Sequence, residues 1–299
     1  MKIFVTGGSG FIGKPVVRQL ASRGHDILLL SRKAKPDTEF VSDRIGFVQG
    51  DLRDYQGVGH IMRDYGAQAL VHLAWEGLPD YSWEMCERNL GYSVKLFSEA
   101  AAAGCSCILS TGSCWEYAAR TGMCSEDDQL GSASIFPAVK NGLRFIGEGI
   151  SRDKKLRFNW LRLFFVYGPG QREGSLIPYI IECLKKNVHP HLQNPVAGND
   201  FVFVDDVAEA VADVVEGTPR NVVYNVGSGT STNVEEIVRR VYRQMDKPVD
   251  ERMFVHRQDA ERQDFWANIS RIGHDTNWRP KHDVESGIRA TLKNVGGLD

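Results

Sequence analysis

The chain has no excess of charge of either sign: 36 Lys+Arg stand against 38 Asp+Glu over 299 residues. Binding a nucleic-acid backbone needs a basic face, so nucleic acid is not an expected partner. Apolar runs are short. Those at 27–30 and 160–166 are strand-sized, well below the ~20 residues of a membrane span. The start, MKIFVTG, has no charged leader followed by an apolar stretch, so neither a secretory signal nor a membrane partner is expected. The six cysteines (86, 105, 107, 114, 124 and 183) form no CxxC pair, and no HExxH accompanies them. His189 and His191 make one His-x-His, but no acid or thiol is spaced to complete a site with it. Reduced thiols, a cytoplasmic setting and no metal are therefore expected. With 42% hydrophobic and 25% charged residues, the composition excludes a disordered or fibrous chain.

What is present is an alternation. Short apolar runs at 2–6, 26–31, 45–49, 69–73, 105–110 and 158–165 read as buried strands. Amphipathic segments at 14–23, 57–65, 83–103 and 138–152 lie between them and read as helices. Strand–helix alternation predicts an α/β fold with a doubly wound parallel sheet. Beyond Tyr167 the Gly168-Pro169-Gly170 break opens a different texture. Helices are expected at 176–186, at 206–216 with Asp205 as N-cap, and at 234–245. Short strands are expected at 201–204 and 224–226, and the tail holds a short strand and one or two helices. The expected division is a dinucleotide domain over 1–167 plus about 200–226. A smaller substrate lobe would cover 168–199 and 227–299.

Thr6-Gly7-Gly8-Ser9-Gly10-Phe11-Ile12-Gly13 joins the first strand to the first helix. Glycines at 7, 10 and 13 suit a tight turn, a close approach by a pyrophosphate, and close helix–strand packing. The helix N-terminus then faces the anion. The spacing GxxGxxG resembles the fingerprint of the extended short-chain dehydrogenase/reductases, which include sugar-nucleotide epimerases, dehydratases and ketoreductases. Further segments resemble that family in order: 50–54 (GDLRD), 71–74 (VHLA), Asn89, 162–169 (RLFFVYGP), 175–180 (SLIPYI), 200–208 (DFVFVDDVA), 265–270 (FWANIS) and 277–280 (NWRP). The resemblance covers nearly the whole chain. It implies cofactor contacts at Gly7, Ser9, Gly10, Phe11, Ile12, Gly13, Asp51, Leu52, Leu73, Ala74, Asn89, Thr111, Phe164 and Val166.

The end of the second strand selects the dinucleotide. An acid there would bind both ribose hydroxyls and repel a 2′-phosphate. This chain has Ser31 and Arg32, a hydroxyl donor and a planar fork suited to a phosphate. The reading favours NADP(H), with NAD(H) the alternative and a solvated basic turn the bland one. A net reductase draws on NADPH, so the same residues tilt the function towards reduction.

The resemblance also implies a catalytic Ser/Thr followed by Tyr-x-x-x-Lys. Ser113, in GSCWEY, takes the hydroxyl position, and Lys140 takes the lysine's. Four residues before Lys140 stands Phe136, which has no proton to give. Three readings stay open: an engineered Tyr-to-Phe replacement, a proton from another group, or binding without turnover. Ser113, Cys114, Glu116, Tyr81 and Cys124 are the candidate groups, and Glu116 would need burial to raise its pKa.

On the substrate side the resemblance implies a nucleoside-diphosphate sugar. Ser175 and Leu176 would hold the diphosphate and base, and Arg257 or Arg262 the diphosphate. Phe165 stands where the family has an Asn, so an apolar wall suiting a 6-deoxy sugar is expected. Trp75, Cys114 and Trp115 are further wall candidates. The favoured function is NADPH-dependent reduction of a nucleotide-linked 4-keto sugar. An NAD-retaining 4-epimerase or 4,6-dehydratase comes second, although Cys114 and Trp115 stand where a dehydratase has Asp-Glu. A non-catalytic binding protein is the rival from another class. The family implies a homodimer through the helices at 83–103 and 138–152.

Overall fold

The computed structural model describes residues 1–33, 40, 42–119, 121–131, 134–254 and 264–294. Its first half alternates strand and helix: β1 (Lys2–Thr6), α1 (Gly13–Ser22), β2 (Asp26–Ser31), β3 (Ile45–Gln49), α2 (Tyr55–Tyr65), β4 (Ala69–His72), α3 (Trp83–Ala102), β5 (Cys107–Ser113), a short β6 (Gly122–Cys124) and α4 (Ile135–Lys154). Then come β7 (Arg157–Leu163), β8 (Phe165–Tyr167), α5 (Leu176–Lys185), β9 (Gly198–Asn199), β10 (Phe201–Phe203), α6 (Val204–Glu216) and β11 (Val223–Val226). The chain closes with β12 (Thr232–Asn233), α7 (Val234–Gln244), β13 (Phe265–Ala267), α8 (Ser270–Thr276) and α9 (Val284–Asn294).

Seven strands form one parallel sheet in the order β11-β7-β5-β4-β1-β2-β3. The near-continuous apolar runs follow from burial on both faces, because successive side chains point to opposite sides. Ile3, Val5, Leu29, Val71, Leu109 and Leu161 pack with Val16 and Leu20 of α1 and Val207 and Val211 of α6. Phe4, Leu30, Leu70, Ile108 and Phe158 pack on the other side with Met62, Leu96, Phe97 and Leu143 of α2, α3 and α4. A third apolar cluster joins α5, α7 and α9 through Ile180, Val241 and Ile288. No described helix is long and apolar enough to cross a membrane.

The structure corrects three expected boundaries. The single strand expected at 158–165 is split at Phe164. The Phe164 N–H donates to Val226 O at 3.0 Å, whereas that of Phe165 donates to Asp200 O at 2.9 Å, so the chain leaves the large sheet there and β8 pairs with β10. Asp205 is not the N-cap of α6. Phe203 holds that position, and Asp205 and Asp206 lie in the first turn. Asp206 accepts from the N–H groups of Lys281 and His282, both at 3.1 Å, and so ties α6 to the tail. Helix α4 starts at Ile135 rather than 138. Pro137 is tolerated in the first turn because its missing N–H would have had no helical partner.

Candidate active site

A cleft of about 300 Å³ opens at the C-terminal edge of β1, β2 and β4, the edge where open α/β sheets bind ligands. It is lined by Gly7, Ser9 and Gly10 from the first turn, by Ser31 at the end of β2 and by Arg32 after it. Asp51 and Leu52 follow β3, Leu73, Ala74 and Trp75 follow β4, and Asn89 comes from α3. The fold thus gathers these expected contacts into one place. Phe11, Ile12, Gly13, Thr111, Phe164 and Val166 are not in its lining. Phe164 is buried beside Tyr117 and Phe265.

The glycines fit a diphosphate cradle. Gly7 has φ +74, and a Cβ there would stand 2.5 Å from Ala74 N. A Cβ on Gly13 would meet Gly7 O at 2.1 Å, so only glycine lets α1 sit this close to β1. A Cβ on Gly10 would meet Gly7 O alone, at 3.2 Å, and its remaining side is open to the cleft. Among the residues that line the cleft, Trp75 has an indole N–H buried without a partner among the described residues. An orphaned donor, an open glycine cradle and an uncapped α1 N-terminus together suit the acceptor oxygens of a dinucleotide.

At the adenosine end, Arg32 is 72% exposed at its side chain and meets Glu76 at 3.3 Å. Asp51 accepts from the Arg53 backbone N–H at 2.9 Å and from its guanidinium at 3.0 and 2.8 Å, and these bonds hold its carboxyl below the usual range. Asn89 has a second task. Its Oδ1 accepts from Glu76 N at 2.7 Å, and its Nδ2 donates to Glu76 O and Met85 O at 3.0 and 2.8 Å. The loop after β4 is thereby pinned to α3. Thr6, Leu30, Gly50, Glu76 and Tyr92 also line the cleft and were missed in the sequence. Tyr92 lies three residues after Asn89, one helical turn along the same face, and that spacing could have found it.

Trp75 joins the cleft to the second half of the site. Lys140 Nζ stands 3.8 Å from the centroid of its indole ring, 5.8 Å from that of Phe136 and 5.7 Å from that of Trp160. The ammonium donates to Thr111 O at 2.9 Å. Burial draws its pKa down to about 7, against the opposing pull of the Glu116 carboxylate. Phe136 lies in the first turn of α4, packed edge-on against Trp75 at 5.4 Å and Tyr81 at 4.9 Å, with Trp115 at 6.1 Å. Ser113 ends β5, and its Oγ accepts from Trp115 N at 3.2 Å.

Two of the candidate proton donors are buried. Glu116 is fully buried, and both its oxygens are engaged. Oε1 accepts from Ser113 N at 2.8 Å and from Trp160 Nε1 at 3.1 Å; Oε2 accepts from Trp160 Nε1 at 3.1 Å and from Arg162 Nε at 2.9 Å. It is an anchor beneath Ser113 rather than an exposed acid. Cys124 is buried beside Phe265, and burial pushes its thiol up to about 11. Cys114 is buried in the same apolar cluster, with Trp115 against it. Phe165 packs on Phe201 and Phe265. Ser175 is the residue before α5, and Leu176 starts that helix. Arg257 and Arg262 lie outside the described residues. No group of side chains able to hold a metal ion occurs among the described residues.

Residues 3–227 match the model of the NAD dependent epimerase/dehydratase family. The chain belongs to this family. Its members are NAD(P)-dependent enzymes of the extended short-chain dehydrogenase/reductase type that act on nucleotide sugars. Among similar curated proteins, CDP-abequose synthase of Salmonella typhimurium is 26% identical, with 98% of each chain covered. The dTDP-4-dehydro-6-deoxyglucose reductase of Escherichia coli is 22% identical, covering 98% of this chain and 97% of that one. The UDP-glucose 4-epimerase of Thermotoga maritima, solved with UDP-glucose, shares the fold. Its TM-score is 0.87 at 20% identity, with 99% and 98% of the two chains covered.

Proposed function

We propose that this family member is an NADPH-dependent reductase of a nucleotide-linked 4-keto sugar, of the 6-deoxy class. The observation that carries the reading is the end of β2. Ser31 and Arg32 line the cleft where a carboxylate would select NAD, and the Arg32 guanidinium is exposed enough to receive a 2′-phosphate. The likeness to a 4-dehydro-6-deoxyglucose reductase supports the same direction.

NADPH, when bound in the cleft, would supply the hydride. Ser113 Oγ, at the end of β5, polarises the keto oxygen. Lys140 fixes the nicotinamide ribose and sets its charge close to the reacting carbonyl. Trp75 and Trp115 wall the sugar, and Phe165 offers an apolar face to a C6 methyl. Ser175 and Leu176 meet the diphosphate and base, with Arg257 or Arg262 as the arginine on the diphosphate. The 1–167 and 200–226 segments hold the dinucleotide, and the remainder holds the nucleotide sugar. Phe145 and Ile146, exposed on α4, support a dimer through α3 and α4.

The test is cofactor identity. Purified protein is titrated with NADPH and NADH, and any retained dinucleotide is identified by mass spectrometry. NADPH binding at least tenfold tighter than NADH, with the gap lost in Arg32→Ala, is the expected result. Tightly retained NAD would overturn the reading and put a 4-epimerase first. Equal turnover of 6-deoxy and 6-hydroxy substrates would remove the 6-deoxy assignment.

A further inference from the structure

The reductase reading leaves the proton for the keto oxygen without a source, because Phe136 stands where the family has its phenol. We infer that Tyr81, on the loop after β4, supplies that proton; the inference rests on the reductase reading. Tyr81 packs on the Phe136 ring at 4.9 Å and on Trp115 at 5.5 Å. A phenol therefore stands against the very ring that lacks a hydroxyl, in the aromatic box that also holds Lys140. The Tyr81 hydroxyl has no partner among the described residues, and the residue is 36% exposed, so it is open to substrate and to water. Of the other groups considered, Glu116 is fully engaged and Cys114 and Cys124 are buried.

The loop holds Tyr81 in place by several independent bonds. Asn89 clamps Glu76 on both sides. Gly77 has φ +84, and a Cβ there would press on Met85 Sδ at 2.5 Å, so the loop lies tight against α3. Asp80 N donates to Gly77 O at 2.8 Å, and Ser82 N donates to Asp80 Oδ1 at 2.9 Å. Cys86 Sγ donates to Tyr81 O at 3.7 Å. A donor on so fixed a loop needs little reorganisation at the moment of reaction.

The step balances. A hydride passes from the reduced nicotinamide to C4 of the sugar, the carbonyl π bond breaks, and its oxygen takes the proton from Tyr81 Oη. The sugar is reduced, the dinucleotide leaves oxidised, and the Tyr81 phenolate regains a proton from water.

The test compares wild type, Tyr81→Phe, and Tyr81→Phe combined with Phe136→Tyr, using NADPH and a nucleoside-diphosphate 4-keto-6-deoxy sugar. Tyr81→Phe keeps the ring, so melting temperature and NADPH affinity should stay at the wild-type values. Its kcat should fall ~100-fold or more, the lower end of what general acids contribute. The double variant should recover at least tenfold of that loss by restoring a phenol on α4. Independently of turnover, Tyr81→Phe should bind the 4-hydroxy product ~3- to 10-fold more weakly, the loss of one hydrogen bond. A kcat within threefold of wild type in Tyr81→Phe would overturn the donor role alone. A wild type that binds both ligands without turnover would overturn the reductase reading, and the donor role with it.

Discussion

Burial holds the Lys140 ammonium down to about 7 from an ordinary 10.5, with three aromatic rings around it and Glu116 as the opposing charge. The unfolded chain therefore binds a proton at this group that the folded chain does not, between about pH 7 and 10.5. Stability rises with pH across that window, by up to about 1.4 kcal/mol per pH unit, and the full penalty applies below pH 7. Lys140→Met has no such penalty. Its urea midpoint should exceed that of wild type at pH 7, and the gap should narrow by pH 9; a gap that widens would contradict this account. The opposite sign is expected at Glu116. Glu116→Gln leaves Arg162, which is 1% exposed at its side chain, as an uncompensated buried charge, and should lower stability by about 3–5 kcal/mol in urea unfolding. At this scale the sequence was readable where chemistry is local. Ser31, Arg32, Asp51 and Trp75 all reach the cleft because each lies at, or within three residues of, the C-terminal end of a strand. It was unreadable where a partner lies far along the chain. Glu116 was one candidate acid in the sequence, and the Trp160 and Arg162 groups that engage its oxygens lie more than forty residues away.

The strand–turn–helix unit of β1 and α1 is the element we propose as the diphosphate cradle. Gly13 cannot carry a Cβ without striking Gly7 O, so substitution there strains the packing of α1 on β1. Gly10 is far less crowded, a Cβ there meeting only Gly7 O at 3.2 Å, and its open side faces the cleft. Gly10→Ala should leave the melting temperature within ~2 °C of wild type yet weaken NADPH binding at least tenfold by filling the cradle. A variant that loses stability but keeps its affinity would place the diphosphate elsewhere. The strands and helices of this half were legible because two-sided burial writes continuous apolar runs and one-sided burial writes amphipathic ones. The misplacements have physical causes. The helix expected from 138 begins at Ile135, because Pro137 sits in a first turn, where helices accept proline, and the run at 158–165 hides a change of sheet at Phe164.

The molecule closes through segments distant in sequence. β11 returns to the edge of the large sheet beside β7, and α6 packs with α1 over the same core. Asp200, fully buried, accepts from Ser228 N, from Gly229 N at 3.0 Å and from Ala267 N at 3.0 Å, so the entry to β10 is tied to both β11's exit and β13. Because the cleft is built from the ends of β1, β2, β3 and β4, a dinucleotide that binds there binds only the folded sheet. Ligand linkage then makes the whole molecule a reporter of cofactor choice. At a hundredfold excess over its Kd, a ligand specific to the folded state adds about 2.7 kcal/mol, a rise of roughly 4 °C in melting temperature for a chain of this length. NADPH at such a concentration should produce that rise, and NADH at the same concentration should fall at least 1 °C short of it for a tenfold weaker Kd. Arg32→Ala should bring the two curves together by lowering the NADPH curve, since only the 2′-phosphate distinguishes the ligands. If the substitution lowers both curves equally, Arg32 acts on the shared adenosine rather than on the phosphate, and the preference for NADPH must reside in another residue of the cleft.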